Sequence, residues 1–353
     1  MAYLILESGQ SFKGQFRGGL SRAGEVVFNT SHSGYEEMAT DPSYFSQILV
    51  TTAPQQGNYG IDRSSWESKN IWINGFVCLE IQNSKRDSSW LNLLKENGVP
   101  ILSGVDTREL VLVLRSQGTT WGAISQFDDL DKAKAEASEL IQAAKKQPAD
   151  WTQLVCSKKI EDRKGLKENG PKVAVLDFGA KENILRELVL RCREIRVFPS
   201  GASADEILAW SPDGLLLTNG PGDPADVLSG IRTVRELLGK KYIFGICMGH
   251  QVLALAMGAK TYKLKFGHRG SNHPISDKLL GRVYVTSQNH GYNVDQQSLP
   301  EDVVVTHINL NDETVAGIKC ERLKCMSVQF HPESHPGPHD AVGLFDYFVN
   351  QIR

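Results

Sequence analysis

Two short stretches of this chain carry residues whose types and order suit covalent chemistry. Gly245-Ile246-Cys247-Met248-Gly249 has the form G-x-nucleophile-x-G and follows the apolar run "KKYIF". Glycines on both sides permit a sharp strand-to-helix turn with a strained residue at its apex. A cysteine there sits at a helix N-terminus, where free N–H groups favour a thiolate, and it still needs a base. The second stretch, "SVQFHPES" (327–334), alternates like a strand and stops at His331-Pro332-Glu333. Pro332 keeps His331 out of helical geometry. His331 and Glu333 then project from one side of an extended backbone, as a Cys-His-Glu triad with Glu333 orienting the imidazole requires. Taken singly, Cys247 also fits a small core thiol in a strand-to-helix turn, and His331 a satisfied core or surface histidine.

A third stretch, "NGPGDPA" (219–225), formally matches a dinucleotide fingerprint, but Pro221 and Pro224 interrupt the phosphate turn. No acidic residue follows at the expected strand end. It reads better as a rigid loop whose amides face the elbow, with the N–H groups of Gly220 and Met248 forming an oxyanion hole. His331, His335 and His339 are spaced four apart, but Pro332, Pro336 and Pro338 exclude the helix a metal site would need there. No metal site is expected. "GKK" (239–241) lacks the rest of a phosphate-binding loop.

The elements around these residues alternate. In the second half, "KVAVLDF", "EIRVF", "GLLLTNG" and "KYIFGI" read as strands, separated by segments of helical spacing. This predicts an α/β fold with a mostly parallel sheet and flanking helices, whose ligands gather beyond the carboxyl ends of the strands. The helix after Cys247 is apolar on every side and is predicted to be buried. The first half mixes strands ("YLILE", "GEVVFNT", "SQILVTTA") with helices ending on glycine, and reads as a smaller α/β domain. A polar helix over 129–147 stops at Pro148, and a charged stretch follows. The expected organisation is a domain over 1–150, a linker over 151–171 and a second domain over 172–353.

The chain has 353 residues, a formal net charge of -2 and 41% hydrophobic residues, which suit a soluble two-domain protein. Without a basic run, nucleic acid is not an expected partner. Without a long apolar stretch or a signal-peptide pattern, neither is a membrane, and the expected compartment is cytoplasmic. The six cysteines show no disulfide framework, and Cys320 and Cys325, the one close pair, read as structural thiols.

G-x-C-x-G-H-Q, N-G-P-G-D-P and F-H-P-E, in this order, resemble the class I (triad-type) glutamine amidotransferases over roughly 172–353. "GEVVFNTSHSGYEEMATDPSY" (24–44), "GNYG" (57–60), "GVDTREL" (104–110), "KFGHRGSNHPI" (265–275) and "TSQNHGYNV" (286–294) extend the resemblance to the carbamoyl-phosphate synthase small subunits. The resemblance implies that Cys247, His331 and Glu333 hydrolyse L-glutamine to glutamate and ammonia through a thioester. It also implies glutamine-binding positions at Ser43, Gly220, Gly222, Met248, Gln251, Asn289, Gly291 and Tyr292. Tyr292 stands where Phe is common and Met248 where Leu is usual. His268-Arg269-Gly270-Ser271 departs from the usual "HHGGN", and Gln55-Gln56 from the usual residues before "GNYG". No cofactor is expected in this chain. ATP, Mg²⁺ and K⁺ are expected on a separate large subunit, which would turn the ammonia, bicarbonate and two ATP into carbamoyl phosphate for arginine and pyrimidine synthesis. Alternatives are a catalytically silent structural subunit of the same assembly and another class I amidotransferase.

Overall fold

The computed structural model describes residues 1–82 and 87–352. The chain divides into two compact units, Met1–Pro148 and Ala149–Arg353.

In the first unit seven strands close into a barrel, in the order Ala2–Leu6, Ser11–Gly18, Ile101–Ser103, Gly75–Val77, Gln47–Thr51, Arg22–Asn29 and Thr120–Ser125. Closure removes free edges, which lets strands as short as Gly75–Val77 persist. The polar helix Leu130–Ala144 is capped by Asp129, whose carboxylate accepts from the Lys132 amide at 2.9 Å. Ala133, Ala137 and Ile141, four residues apart, form its buried stripe with Ile5, Ala23 and Ala123 of the barrel. The other helical face is charged and solvated.

The second unit is built on one ten-stranded sheet. Its parallel part is Glu194–Pro199, Lys172–Asp177, Gly214–Leu217, Tyr242–Ile246 and Cys325–Val328, in that order. The strands from residue 261 to Cys320 pair antiparallel, because there the chain runs as hairpins with no crossover helix between strands. Helices cover the parallel part on both faces. On one, Val252 and Leu253 of the helix Met248–Ala256 pack with Val234 and Leu237 of the helix Leu228–Leu237. On the other, Phe345 and Phe348 of the helix Gly343–Gln351 meet Phe244 at ring-centroid separations of 6.0 and 5.5 Å. Each such buried ring contributes about 2–3 kcal/mol through area removed from water.

The linker expected over 151–171 is corrected. Thr152–Val155 is a short helix, and Glu161–Lys164 is an edge strand of the large sheet, antiparallel to Glu194–Pro199. Charge masked this strand in the sequence. Its side chains are held by ion pairs, Asp162 with Arg196 at 2.6 Å and Arg163 with Glu182. A charged edge also discourages pairing with other chains.

Candidate active site

Cys247 stands between the strand Tyr242–Ile246 and the helix Met248–Ala256, with φ 53° and ψ −103°. A non-glycine residue there carries about 1–3 kcal/mol of backbone strain. Local bonds hold it: the Cys247 amide donates to Val328 O at 2.9 Å, and the Cys247 carbonyl accepts from the amides of His250 and Gln251. The two glycines are needed by close packing. A Cβ on Gly245 would lie 2.6 Å from Gly249 O, and one on Gly249 would lie 2.4 Å from Leu217 O. The elbow is therefore pressed onto the end of the neighbouring strand, and the Gly249 amide donates to Thr218 O at 2.9 Å.

That contact brings in the "NGPGDP" loop. A Cβ on Gly220 would lie 2.4 Å from Phe178 O, so this turn too admits no side chain. Gly222 has φ +92°, a left-handed conformation, and faces Trp151. Among the described residues, neither the Gly220 amide nor the Met248 amide donates to a protein acceptor. Met248 opens its helix, where the N–H groups lack intrahelical acceptors. Its side chain lies in the core, so the backbone is what it offers the site.

His331 comes from the chain's end. Its amide donates to Ser287 O at 2.9 Å in a single bridge beyond the strand Cys325–Val328. Its Nδ1 lies 2.6 Å from Glu333 Oε1, and the same oxygen lies 3.1 Å from Lys181 Nζ. All three side chains are almost fully buried. Burial would lower the imidazole pKa, but the Glu333 carboxylate and then the Cys247 sulfur raise it above its ordinary value, against a smaller push from Lys181. Burial would raise the Glu333 carboxyl, but Lys181 and then His331 hold it well below the usual carboxylate range. The imidazole thus feels the sulfur electrostatically, while Nε2 has no protein hydrogen bond of standard geometry. The thiol donates to Asn289 O, with sulfur and oxygen 3.7 Å apart.

The other positions predicted for glutamine fall in two groups. Asn289, Gly291 and Tyr292 lie on the strand Arg282–Val294; Gln251 of the elbow helix donates to Tyr292 O of that strand at 2.7 Å and to Gln329 Oε1, just past the strand Cys325–Val328, at 3.0 Å. Ser43 belongs to the first unit, in the helical turn Pro42–Tyr44, where its amide donates to Asp41 Oδ1 at 2.9 Å.

The family models match this division. Residues 4–124 match the carbamoyl-phosphate synthase small chain, CPSase domain, and residues 174–351 match glutamine amidotransferase class-I. A carbamoyl phosphate synthase small chain of Bacillus caldolyticus is 46% identical over 99% of this chain and 96% of its own length. One of Aquifex aeolicus is 45% identical over 100% of this chain and 99% of its own. A pyrimidine-specific small chain of Halalkalibacterium halodurans is 44% identical over 99% and 96%. The chain belongs to the carbamoyl phosphate synthase small-chain family. As a small chain with a class-I glutamine amidotransferase domain, it is the glutaminase component of that ligase.

Sequence reasoning about this small chain missed Lys181. The lysine precedes the helix Glu182–Val189, its amide donates to Asn219 Oδ1 at 3.0 Å, and its Nζ also reaches Ser334 O. Asn183 Nδ2, two residues on, donates to Glu333 O. The available signal was position: Lys181 lies just past the carboxyl end of the strand Lys172–Asp177, where ligands of parallel sheets gather. Among the described residues no group of three or more His, Cys, Asp or Glu is placed to hold a metal ion, and no helix is long and apolar enough to cross a membrane.

Proposed function

We propose that Cys247 hydrolyses glutamine with His331 as its proton carrier, Glu333 as the imidazole's anchor and Lys181 as the anchor of Glu333. The sulfhydryl proton passes to His331 Nε2, and sulfur bonds to the amide carbon. Negative charge on the former carbonyl oxygen meets the N–H groups of Gly220 and Met248. The C–N bond breaks as His331 returns the proton to the leaving ammonia, which leaves a glutamyl thioester. Water then gives a proton to His331, its oxygen bonds to the acyl carbon, and glutamate departs as the thiol is restored. Asn289, Gly291 and Tyr292, the loop glycine Gly222 and Gln251 behind them supply the glutamine site.

The ammonia is used by a separate large subunit, which carries the sites for ATP, Mg²⁺ and K⁺ and makes carbamoyl phosphate from bicarbonate and two ATP. The product class suits arginine and pyrimidine synthesis, and the setting is cytoplasmic, in keeping with six buried free thiols. The observation that carries this reading is the convergence of Cys247, the pair His331 and Glu333, and Lys181 from three separate segments on one buried point. A silent structural subunit would have no use for a strained cysteine beside a carboxylate-held imidazole. The test is Cys247→Ser assembled with the large chain. Glutamine-dependent carbamoyl phosphate synthesis should vanish while ammonia-dependent synthesis continues. Normal glutamine hydrolysis by the variant would sink the assignment.

A further inference from the structure

The hairpin that carries Asn289, Gly291 and Tyr292 also holds a buried cation that the reaction scheme does not use. Arg269 lies opposite Asn289 in the antiparallel register and is 5% exposed. Its Nη1 donates to Phe266 O at 2.8 Å. The guanidinium lies over two glycines, one on each strand: a Cβ on Gly267 would stand 2.5 Å from Nη1, and one on Gly291 would stand 3.4 Å from Nη2. Gly267 has φ +70°, and its Cβ would also stand 2.4 Å from His290 O. A side chain is therefore excluded where the guanidinium crosses the turn at Gly267. The charge is felt next door, since Arg269, after burial and His268, is among the groups that push the His290 imidazole well below its ordinary range.

We propose that Arg269 is a positioning residue for glutamine: bridging Gly267 and Gly291, it fixes the Asn289–Tyr292 segment against which the substrate docks. This rests on the glutamine reading given above. A planar guanidinium spans two backbone segments at once, which an ammonium on a flexible stem does poorly and an imidazole cannot reach to do. The Arg269 guanidinium lies against the backbone at Phe266, Gly267 and Gly291, so its loss falls on binding rather than on the chemical step.

The test is glutaminase kinetics of the chain assembled with its large subunit. Arg269→Met should raise KM for glutamine about tenfold and change kcat by less than about twofold, the pattern of lost uniform binding. Arg269→Lys, which keeps the charge and a donor, should recover part of the loss. A KM within about twofold of the parent in a variant whose thermal unfolding is unchanged would overturn the proposal. So would a fall in kcat as large as the rise in KM. If Arg269→Met does not fold, Arg269→Lys and Arg269→His carry the same comparison. Calorimetric glutamine binding in a Cys247→Ser background separates this inference from the reading it rests on. Weaker binding on adding Arg269→Met supports it even if the parent fails to hydrolyse glutamine, and unchanged binding overturns it even if hydrolysis is normal.

Discussion

The parallel neighbours Tyr242–Ile246 and Cys325–Val328 carry one cysteine at each end of the sheet, and the two sulfurs have opposite surroundings. Cys325 opens its strand opposite Ile243, in ordinary extended backbone, with Met257 Sδ 3.9 Å from its sulfur. Burial, and then the neighbouring Cys320, push its thiol up to about 12. Cys247 lies past the other end, in a strained turn, with an imidazole at hand. The imidazoles repeat the lesson. His250 is fully buried three residues after Cys247 and bonds to Ser327 Oγ at 2.8 Å. Burial and then His307 push it down to about 3. His331, equally buried, is raised because Glu333 is 2.6 Å away. Burial sets the direction at His250, and the Glu333 carboxylate reverses it at His331.

The largest effect should separate the two cysteines. Cys247→Ser should lower glutamine hydrolysis by about a thousandfold or more, and Cys325→Ala by less than about twofold, read as ammonia release. Similar losses from both would erase the contrast. Next come the partners of the imidazole. His331→Asn should cost nearly as much as the cysteine, and Glu333→Gln roughly ten- to a hundredfold, because it orients the ring rather than carrying the proton. Lys181→Met should cost less again. Equal losses at His331 and Glu333 would argue for another role for the carboxylate.

These residues were unequally legible in the sequence. The elbow and the His331–Glu333 pair could be read because their chemistry is local: each depends on residues within a few positions. Lys181 could not, because its partner lies in a segment brought near only by the sheet, and a lysine before "ENILREL" looks like any solvated helix start. The strand Glu161–Lys164 was hidden by its charges, and closure of the barrel by the three-residue strands Gly75–Val77 and Ile101–Ser103, too short to show periodicity. The parallel centre of the second sheet was plain from its alternating strands and helices. The hairpins after residue 260, which carry Asn289, Gly291 and Tyr292, lacked that alternation.

Smaller effects test the packing. Gly249→Ala sets a methyl against Leu217 O and should destabilise the second unit by about 2–3 kcal/mol, whereas Gly343→Ala, with open space around it, should be within about 0.5 kcal/mol of the parent. Denaturant unfolding measures both, and equal costs would show that the elbow is not tightly seated. The smallest effect is the pH response of the two buried histidines. His250 has a folded pKa below its unfolded value, so the stability it contributes is present above about pH 6.5 and is lost as pH falls from there through its folded value of about 3. His331 is raised, so its contribution is present below about pH 6.5 and is lost as pH rises through its folded value. His250→Asn should flatten the acid-side loss and Glu333→Gln should remove the alkaline-side one. No change in either limb would mean that these imidazoles are not set by burial and Glu333 as described.

The most direct measurement is acid-quenched intact mass after mixing the chain and its large subunit with glutamine, followed by peptide mapping. A glutamyl increment should appear on the small chain, map to Cys247 and be absent from Cys247→Ser. Glutamate formed at the parent rate with no adduct, or an adduct on any other residue, would contradict a thioester at Cys247.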